Sequence, residues 1–350
     1  MRKILFPLLF VALVLAGKVE YRRVSFVKFI GKDAFNCLGL EMMGYNILTS
    51  DSNFLYVYDS RGRFPFYAIE LKSQRIKGFG AWGSGPGGVM KASPVVMSND
   101  RKYVYAYSPF SLRLLAFNKS NFNLAWERKL SFLSPGGFFL FLGEGKGIYI
   151  DLGLESGKKN FGWLLFFEPG KNVVKKKVAL EKKGDEFQIF SQNPALKKGP
   201  ITKDMKGNIY YANYYSSLIL SYNSEGKLRF SIFSPRDIPI PKAKIRKQGS
   251  IIISDPEKCI QSYISLATDA NHLYALFSGE EITMEKILAF KRGEIELNLG
   301  EGRIVDVFDK RTGKYEYSLK IPFYITGISV KGELLYATTM DRGIAVFKMR

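Results

Sequence analysis

The chain alternates short apolar runs with clusters of turn-forming residues, and one pattern recurs along it. The segments "FLYVYD" (54–59), "YVYAYS" (103–108), "GIYIDL" (147–152), "NIYYAN" (208–213), "HLYALF" (272–277) and "LLYATT" (334–339) each carry an aliphatic residue and then a tyrosine. Those tyrosines are Tyr56, Tyr105, Tyr149, Tyr210, Tyr274 and Tyr336. A polar cluster stands just before each segment, as in "SDSN", "SNDRK", "KDMKGN" and "TDAN", and an apolar run precedes the cluster, as in "PVVMS" and "YISLA". Apolar run, tight polar turn and apolar run together predict an antiparallel hairpin. A third apolar run follows each pair, for instance "PFYAIE", "LRLLAF" and "RIVDVF". In several units a further turn leads to a fourth, as in "EPGKNVVKKKVAL" and "DKRTGKYEYSLKI".

Four antiparallel strands recurring every ~40–60 residues predict a β-propeller. The expected fold is all-β, a single six-bladed propeller of four-stranded blades over residues 18–350. Two insertions, 234–262 and 278–302, take up the length that ordinary blades do not need. The sixth unit stops at "GIAVFKMR" without a fourth strand, while "VEYRRVSFVKFI" (19–30) is an orphan strand ahead of the first unit. Pairing the two completes the last blade, closes the ring and removes an open sheet edge.

The repeat changes how single residues are read. His272 is the only histidine, yet its place in the other units is held by Phe54, Tyr103, Gly147, Asn208 and Leu334. A position that accepts all of these is a turn edge, not a reserved base. A Ser–His–Asp hydrolase would have to use this histidine or none. The turn acids Asp51, Asp100, Glu144, Asp204 and Asp269 recur too, as expected of residues that bond nearby backbone amides. "GFGAWGSGPGG" (78–88) matches GxGxxG twice, but a strand follows it where a dinucleotide fold needs a helix. It is expected to be a flexible linker between the first two blades.

Composition adds a location and a sign of charge. Aromatics make up 15% of the chain, which favours strands over helices. "MRKILFPLLFVALVLAGK" has a basic start, an apolar stretch from Ile4 to Leu15 and small residues at Val14 and Ala16, so residues 1–17 are expected to be a signal peptide. An uncleaved anchor is the alternative, although the apolar run is shorter than the ~18–20 residues that span a bilayer. Lys18 stands where a lipid-modified cysteine would be. The two cysteines, Cys37 and Cys259, could pair in an exported chain, and no clustered Cys/His set suggests zinc or iron. A net charge of +20, with lysine runs at 175–177 and 241–247, suits anionic partners such as lipid surfaces or polyanionic glycans. Export argues against nucleic acid.

Three segments carry a resemblance to a known family: "GSGPGG" after the first unit, "GNIYYANYYSSLILSYNSEGKL", and "HLYALFSG" followed by an insertion and "IVDVFDKRTGKYEYSLKIP". From about residue 50 onward the chain resembles the bacterial exported six-bladed β-propeller family, also described as TolB-like. It departs from that pattern at Gly88, where the family favours an acid, and in lacking a lipid-anchor cysteine. The resemblance implies the fold and an envelope location, and no catalytic residue.

The expectation is therefore a periplasmic or secreted propeller that binds a protein, glycan or other envelope ligand without catalysis. No catalytic residue, metal site or cofactor is expected, nor a transmembrane segment after signal cleavage. The alternative is a calcium-dependent lactonase or esterase-type hydrolase working in the central channel, with oxygen ligands drawn from several blades. For ligand contact, the loops between second and third strands share a face with the blade linkers. That face would carry Arg63, Trp82, Phe110, Tyr214, Tyr215 and Arg342, the aromatic-plus-arginine set that recognition sites use.

Overall fold

The computed structural model describes residues 19–31, 48–91, 95–108, 111–130, 138–143, 146–151, 163–168, 171, 173–179, 199–216, 218–236, 238, 243–245, 251–253, 259–292, 294, 300–340 and 343–349. Six four-stranded antiparallel blades radiate from a central axis. Blade 1 runs Leu48–Ser50, Phe54–Tyr58, Phe66–Glu70 and Ile76–Phe79. Blade 2 runs Val96–Asn99, Tyr103–Ser108, Arg113–Asn118 and Leu124–Lys129. Blade 3 comprises Phe138–Gly143, Lys146–Asp151, Trp163–Glu168 and Val173–Ala179. Blade 4 comprises Ile201–Lys203, Ile209–Ala212, Leu218–Tyr222 and Leu228–Phe233. In blade 5 the strands are Tyr263–Thr268, His272–Phe277, Gly302–Asp309 and Tyr315–Ile325. Blade 6 takes Gly327–Lys331, Leu334–Thr339 and Gly343–Lys348 from the C-terminal end, and Ser25–Ile30 from the N-terminal end. The innermost strands touch their neighbours all the way round the ring.

The recurring acid and the recurring tyrosine turn out to be two ends of one bond. In blade 1, Asp51 Oδ1 accepts from the amides of Asn53 (2.8 Å) and Phe54 (2.9 Å), and Oδ2 accepts from the Tyr56 hydroxyl (2.8 Å). Asp100 does the same in blade 2 with Lys102, Tyr103 and the Tyr105 hydroxyl (2.7 Å). Asp269 repeats it in blade 5 with Asn271, His272 and the Tyr274 hydroxyl (2.8 Å). Asp204 in blade 4 has one more residue before its tyrosine, and its contact with Tyr210 is longer at 3.4 Å. The geometry has a simple cause. The turn leaves backbone amides without partners, the tyrosine ring is buried, and a buried hydroxyl needs an acceptor. One carboxylate serves both. Burial works against the Asp51 charge, but bonds from Lys119, two amides and Tyr56 outweigh it and hold the carboxyl below its usual range. Burial, then the acid itself, raises the phenols of Tyr56, Tyr105 and Tyr274 far above ordinary values.

A lysine just after the third strand reaches back to the preceding blade in two places. Lys119 of blade 2 pairs with Asp51 of blade 1 at 2.6 Å, and Lys310 of blade 5 lies 3.6 Å from Asp204 of blade 4. The turn acid therefore fixes its own hairpin and the neighbouring blade together.

Ring closure follows the expected plan with one difference. Ser25–Ile30 pairs antiparallel with Gly343–Lys348, and the register slips between Phe26 and Lys28. Tyr21–Arg23 does not continue along blade 6. It turns aside and pairs in parallel with Tyr315–Ile325, the outer strand of blade 5. The N-terminal segment is thus a strap across two blades. Beneath it Asp306, fully buried, takes a two-pronged contact from Arg236 at 2.7 and 3.2 Å, with the hydroxyls of Tyr263 (2.9 Å) and Ser318 (2.6 Å) on the same carboxylate. Arg236 also bonds Tyr21 of the strap at 3.3 Å.

The two insertions meet each other. Cys259–Ile260 from the first pairs with Glu281–Ile282 from the second, and the second also carries the helix Met284–Lys291. A short hairpin, Ala243–Ile245 with Ile251–Ile253, belongs to the first. Cys259 is a buried free thiol whose pKa desolvation raises to about 11, and Cys37 lies outside the described residues. Residues 1–17, expected to be a signal peptide, also lie outside them. No helix among the described residues is long and apolar enough to cross a membrane.

Candidate functional site

On the face built from second-to-third-strand loops and blade linkers, the expected ligand residues fall into two pairs. Trp82 Nε1 donates to the Gly62 carbonyl at 2.8 Å, which seats the indole beside exposed Arg63 on blade 1. The linker that carries Trp82 is held in place, not flexible. Ala81–Trp82 pairs with Gly88–Val89, and Arg113 donates to the carbonyls of Ser84 (3.3 Å) and Gly85 (2.8 Å). A Cβ on Gly88 would stand 2.6 Å from the Gly83 carbonyl oxygen, so the fold of this linker needs glycine there. On blade 4 the rings of Tyr214 and Tyr215 touch, but Tyr214 is only 2% exposed and burial raises the Tyr215 phenol to about 12. The paired insertions sit next to them, with the Tyr214 carbonyl accepting from the Ser262 amide at 2.5 Å. Phe110 and Arg342 lie outside the described residues.

The opposite face, built from the hairpin turns, holds a large open cleft. It encloses about 1590 Å³ and spans blades 1 to 4 across the channel mouth. Its described lining carries seven cations against three carboxylates: Arg101, Lys102, Lys119, Arg128, Lys146, Lys203 and Lys206 against Asp51, Asp100 and Glu225. Two of those carboxylates are already committed to their own turns. Aromatic rings form part of the wall. Trp126 packs on Tyr103 (6.2 Å) and Tyr105 (5.9 Å), Phe54 stacks on Tyr56 (5.9 Å), and the Lys102 ammonium lies 5.0 Å over the Tyr103 ring. Low-dielectric walls lined by one sign of charge focus the field on what enters.

At the base of the cleft, where it meets the channel, Asn99 organises the polar groups. Its Oδ1 accepts from Lys119 (2.9 Å), and its Nδ2 donates to Thr49 Oγ1 (2.7 Å) and the Ser50 carbonyl (3.1 Å). Lys203 lines both spaces and, among the described residues, its ammonium reaches only the Asn99 carbonyl, at 3.4 Å. Burial lowers its pKa to about 8; Asp100 opposes that and Lys119 adds to it.

The channel itself is about 160 Å³, and its described lining is apolar groups, hydroxyls, Asn99 and Lys203. Calcium takes six to eight oxygens, carboxylates prominent among them. A lining without a carboxylate and with an ammonium group does not fit that ion. His272, the candidate base, lies away from both spaces. Its Nδ1 is 3.2 Å from Asp269 and its Nε2 3.3 Å from Glu316, at the hairpin edge of blade 5. Asn208 holds the matching place in blade 4 and makes the matching bond, Nδ2 to Asp204 Oδ2 at 2.9 Å.

No family model matches the chain, and no curated protein is similar to it in sequence. Solved structures do share its fold. One is a Bacteroides fragilis NCTC 9343 protein assigned as exported, 15% identical over 95% of this chain and 99% of that one, with a TM-score of 0.59. Another is virginiamycin B lyase from Staphylococcus aureus, 11% identical over 90% and 98% of the two chains, with a TM-score of 0.50. At such identities the likeness establishes a β-propeller and nothing about chemistry.

Proposed function

We propose that the protein is an exported propeller that binds a polyanionic glycan in the cleft on its hairpin-turn face. One observation carries this: an open, 1590 Å³ cleft with excess positive charge and the half-buried rings of Phe54, Tyr103 and Trp126 in its walls. Cations meet carboxylate or sulfate groups, and ring faces with negative quadrupoles meet the C–H faces of sugar rings. The basic, apolar N-terminal stretch "MRKILFPLLFVALVLAG" supports export, as does structural likeness to a protein assigned as exported. A binding role suits the site better than hydrolysis in the channel, because the described channel lining offers calcium no carboxylate and a hydrolase no histidine.

The test is calorimetric titration with sulfated and uronic-acid oligosaccharides. Lys102→Glu with Arg128→Glu should weaken binding at least tenfold, and Lys175→Glu with Lys176→Glu on the outer strand of blade 3 should change it little. A larger loss from Arg63→Ala with Trp82→Ala would move the site to the opposite face. Binding of acidic peptides with no affinity for either glycan would overturn the ligand class.

A further inference from the structure

Lys203 is the odd member of its repeat position. The residue before the turn acid is Ser50 in blade 1, Asn99 in blade 2 and Thr268 in blade 5, each small and neutral. In blade 4 it is a lysine, at the junction of cleft and channel. Among the described residues, the nearby groups that could neutralise it are occupied. Asp51 is paired with Lys119 at 2.6 Å, and Asp100 spends its oxygens on two backbone amides and Tyr105. The Asn99 side chain is engaged on both of its polar atoms, leaving a carbonyl at 3.4 Å. A desolvated cation without a counter-charge is costly. A second orphan lies in the same channel wall: the Ser98 hydroxyl is 3% exposed as a residue and finds no hydrogen-bond partner among the described residues.

We propose that Lys203 is the seat of an anion subsite at the junction of cleft and channel, which takes one carboxylate, sulfate or phosphate group. The proposal rests on the cleft being the ligand site and adds where its acidic group is anchored. An anion there supplies the missing counter-charge. Among the described residues, the charged groups whose fields act on Lys203 are Asp100 and Lys119. Lys119 is already neutralised by Asp51, so the Lys203 charge is the one left to meet the ligand.

The experiment uses the whole chain with its lysines reductively ¹³C-methylated, which preserves their charge. The Lys203 resonance is assigned from its absence in Lys203→Gln and followed through a pH titration. Phosphate or sulfate, compared with chloride at equal ionic strength, should raise its titration midpoint by about half a pH unit or more, roughly threefold preference for the protonated form. An unchanged midpoint with both anions overturns the subsite. A sulfated oligosaccharide separates the two ideas. If small anions act and the oligosaccharide does not bind, the subsite stands and the glycan reading falls. If the oligosaccharide binds wild type and Lys203→Gln equally and small anions do nothing, the cleft stands and the subsite falls. If Lys203→Gln fails to fold, Lys203→Arg, which keeps the cation but takes no methyl label, supplies the assignment and keeps the test decisive.

Discussion

Replacing Lys203 by methionine should make the protein more stable, which is unusual for a change at an interior position. The magnitude follows from proton linkage. In the unfolded chain the amine titrates near 10.5, and in the fold near 8. That difference means the native state bears a penalty of about 3 kcal/mol for holding the charge at pH 7. Lys203→Met removes the penalty, keeps the apolar stem and loses one long bond to Asn99 worth at most about 1 kcal/mol. The net gain should be about 2 kcal/mol at pH 7. The sign of the pH dependence is fixed as well. Between pH 8 and 10.5 the unfolded wild-type chain holds the proton more often than the folded one, so wild-type stability rises with pH in that window. The advantage of the variant should therefore shrink, to roughly half the charge term by pH 9.5. Urea unfolding of both proteins at pH 7 and 9.5, in buffer without phosphate or sulfate, measures this directly. Other titrating groups cancel in the difference. A variant less stable than wild type at pH 7, or an advantage that stays constant with pH, would refute the claim that Lys203 is a desolvated, unneutralised cation.

Arg236→Ala should cost about 3–5 kcal/mol, because it leaves the buried Asp306 carboxylate without its cation; a melting temperature within a few degrees of wild type would contradict this. Deleting residues 18–30 removes the fourth strand of blade 6 and the parallel strand on blade 5 together, so the truncated protein should melt lower and aggregate through the bared edges; a soluble, equally stable truncation would show that the strap is dispensable. His272→Asn should leave stability and binding nearly unchanged, since Asn208 makes the equivalent bond in blade 4; a loss of ligand affinity with an intact melting curve would assign the histidine a role the repeat denies it.

The fold was written in the sequence by residues that act locally. Asp51 and Tyr56 are five positions apart, and so are Asp100 and Tyr105, so their bond shows as a spacing. The closing strand was legible because a three-stranded unit and an orphan strand imply each other; the register shift between Phe26 and Lys28 was not read from them. The turn of Tyr21–Arg23 onto blade 5 left no such trace, because what holds it, the edge of Tyr315–Ile325 and Arg236, lies more than two hundred residues away. The cleft was hidden for the same reason. Lys119, Lys146 and Lys203 come from three different blades, and along the chain they look less basic than the run at 175–177, which lies on an outer strand. The signal that could have found it is Lys203, a charge in a register position that is Ser, Asn and Thr in blades 1, 2 and 5 and Val330 in blade 6. The expected contact face suffered the opposite fate. Tyr214 reads as an exposed loop aromatic, but the loop packs inward and the tyrosine is buried.

The strap also sets an order of events in time. Residues 21–30 hydrogen-bond to residues 315–348, so the strands that seal the ring lie at opposite ends of nearly all the described chain. Blades 1 to 4 can each form from contiguous sequence as it becomes available. Blade 6 cannot, and the segment synthesised before all of them has to wait for its partner. Pairings of such long sequence separation are the slow ones. Until they form, blades 5 and 6 keep open edges of the kind that recruit other chains. A chain threaded through a membrane from its N-terminus would carry that segment across unpaired, and sealing would follow only after the last strand had arrived. Refolding of the purified protein should accordingly show a slow final phase reported by the aromatic cluster of Phe26, Phe29, Phe323 and Phe347, which comes together only when the two ends meet.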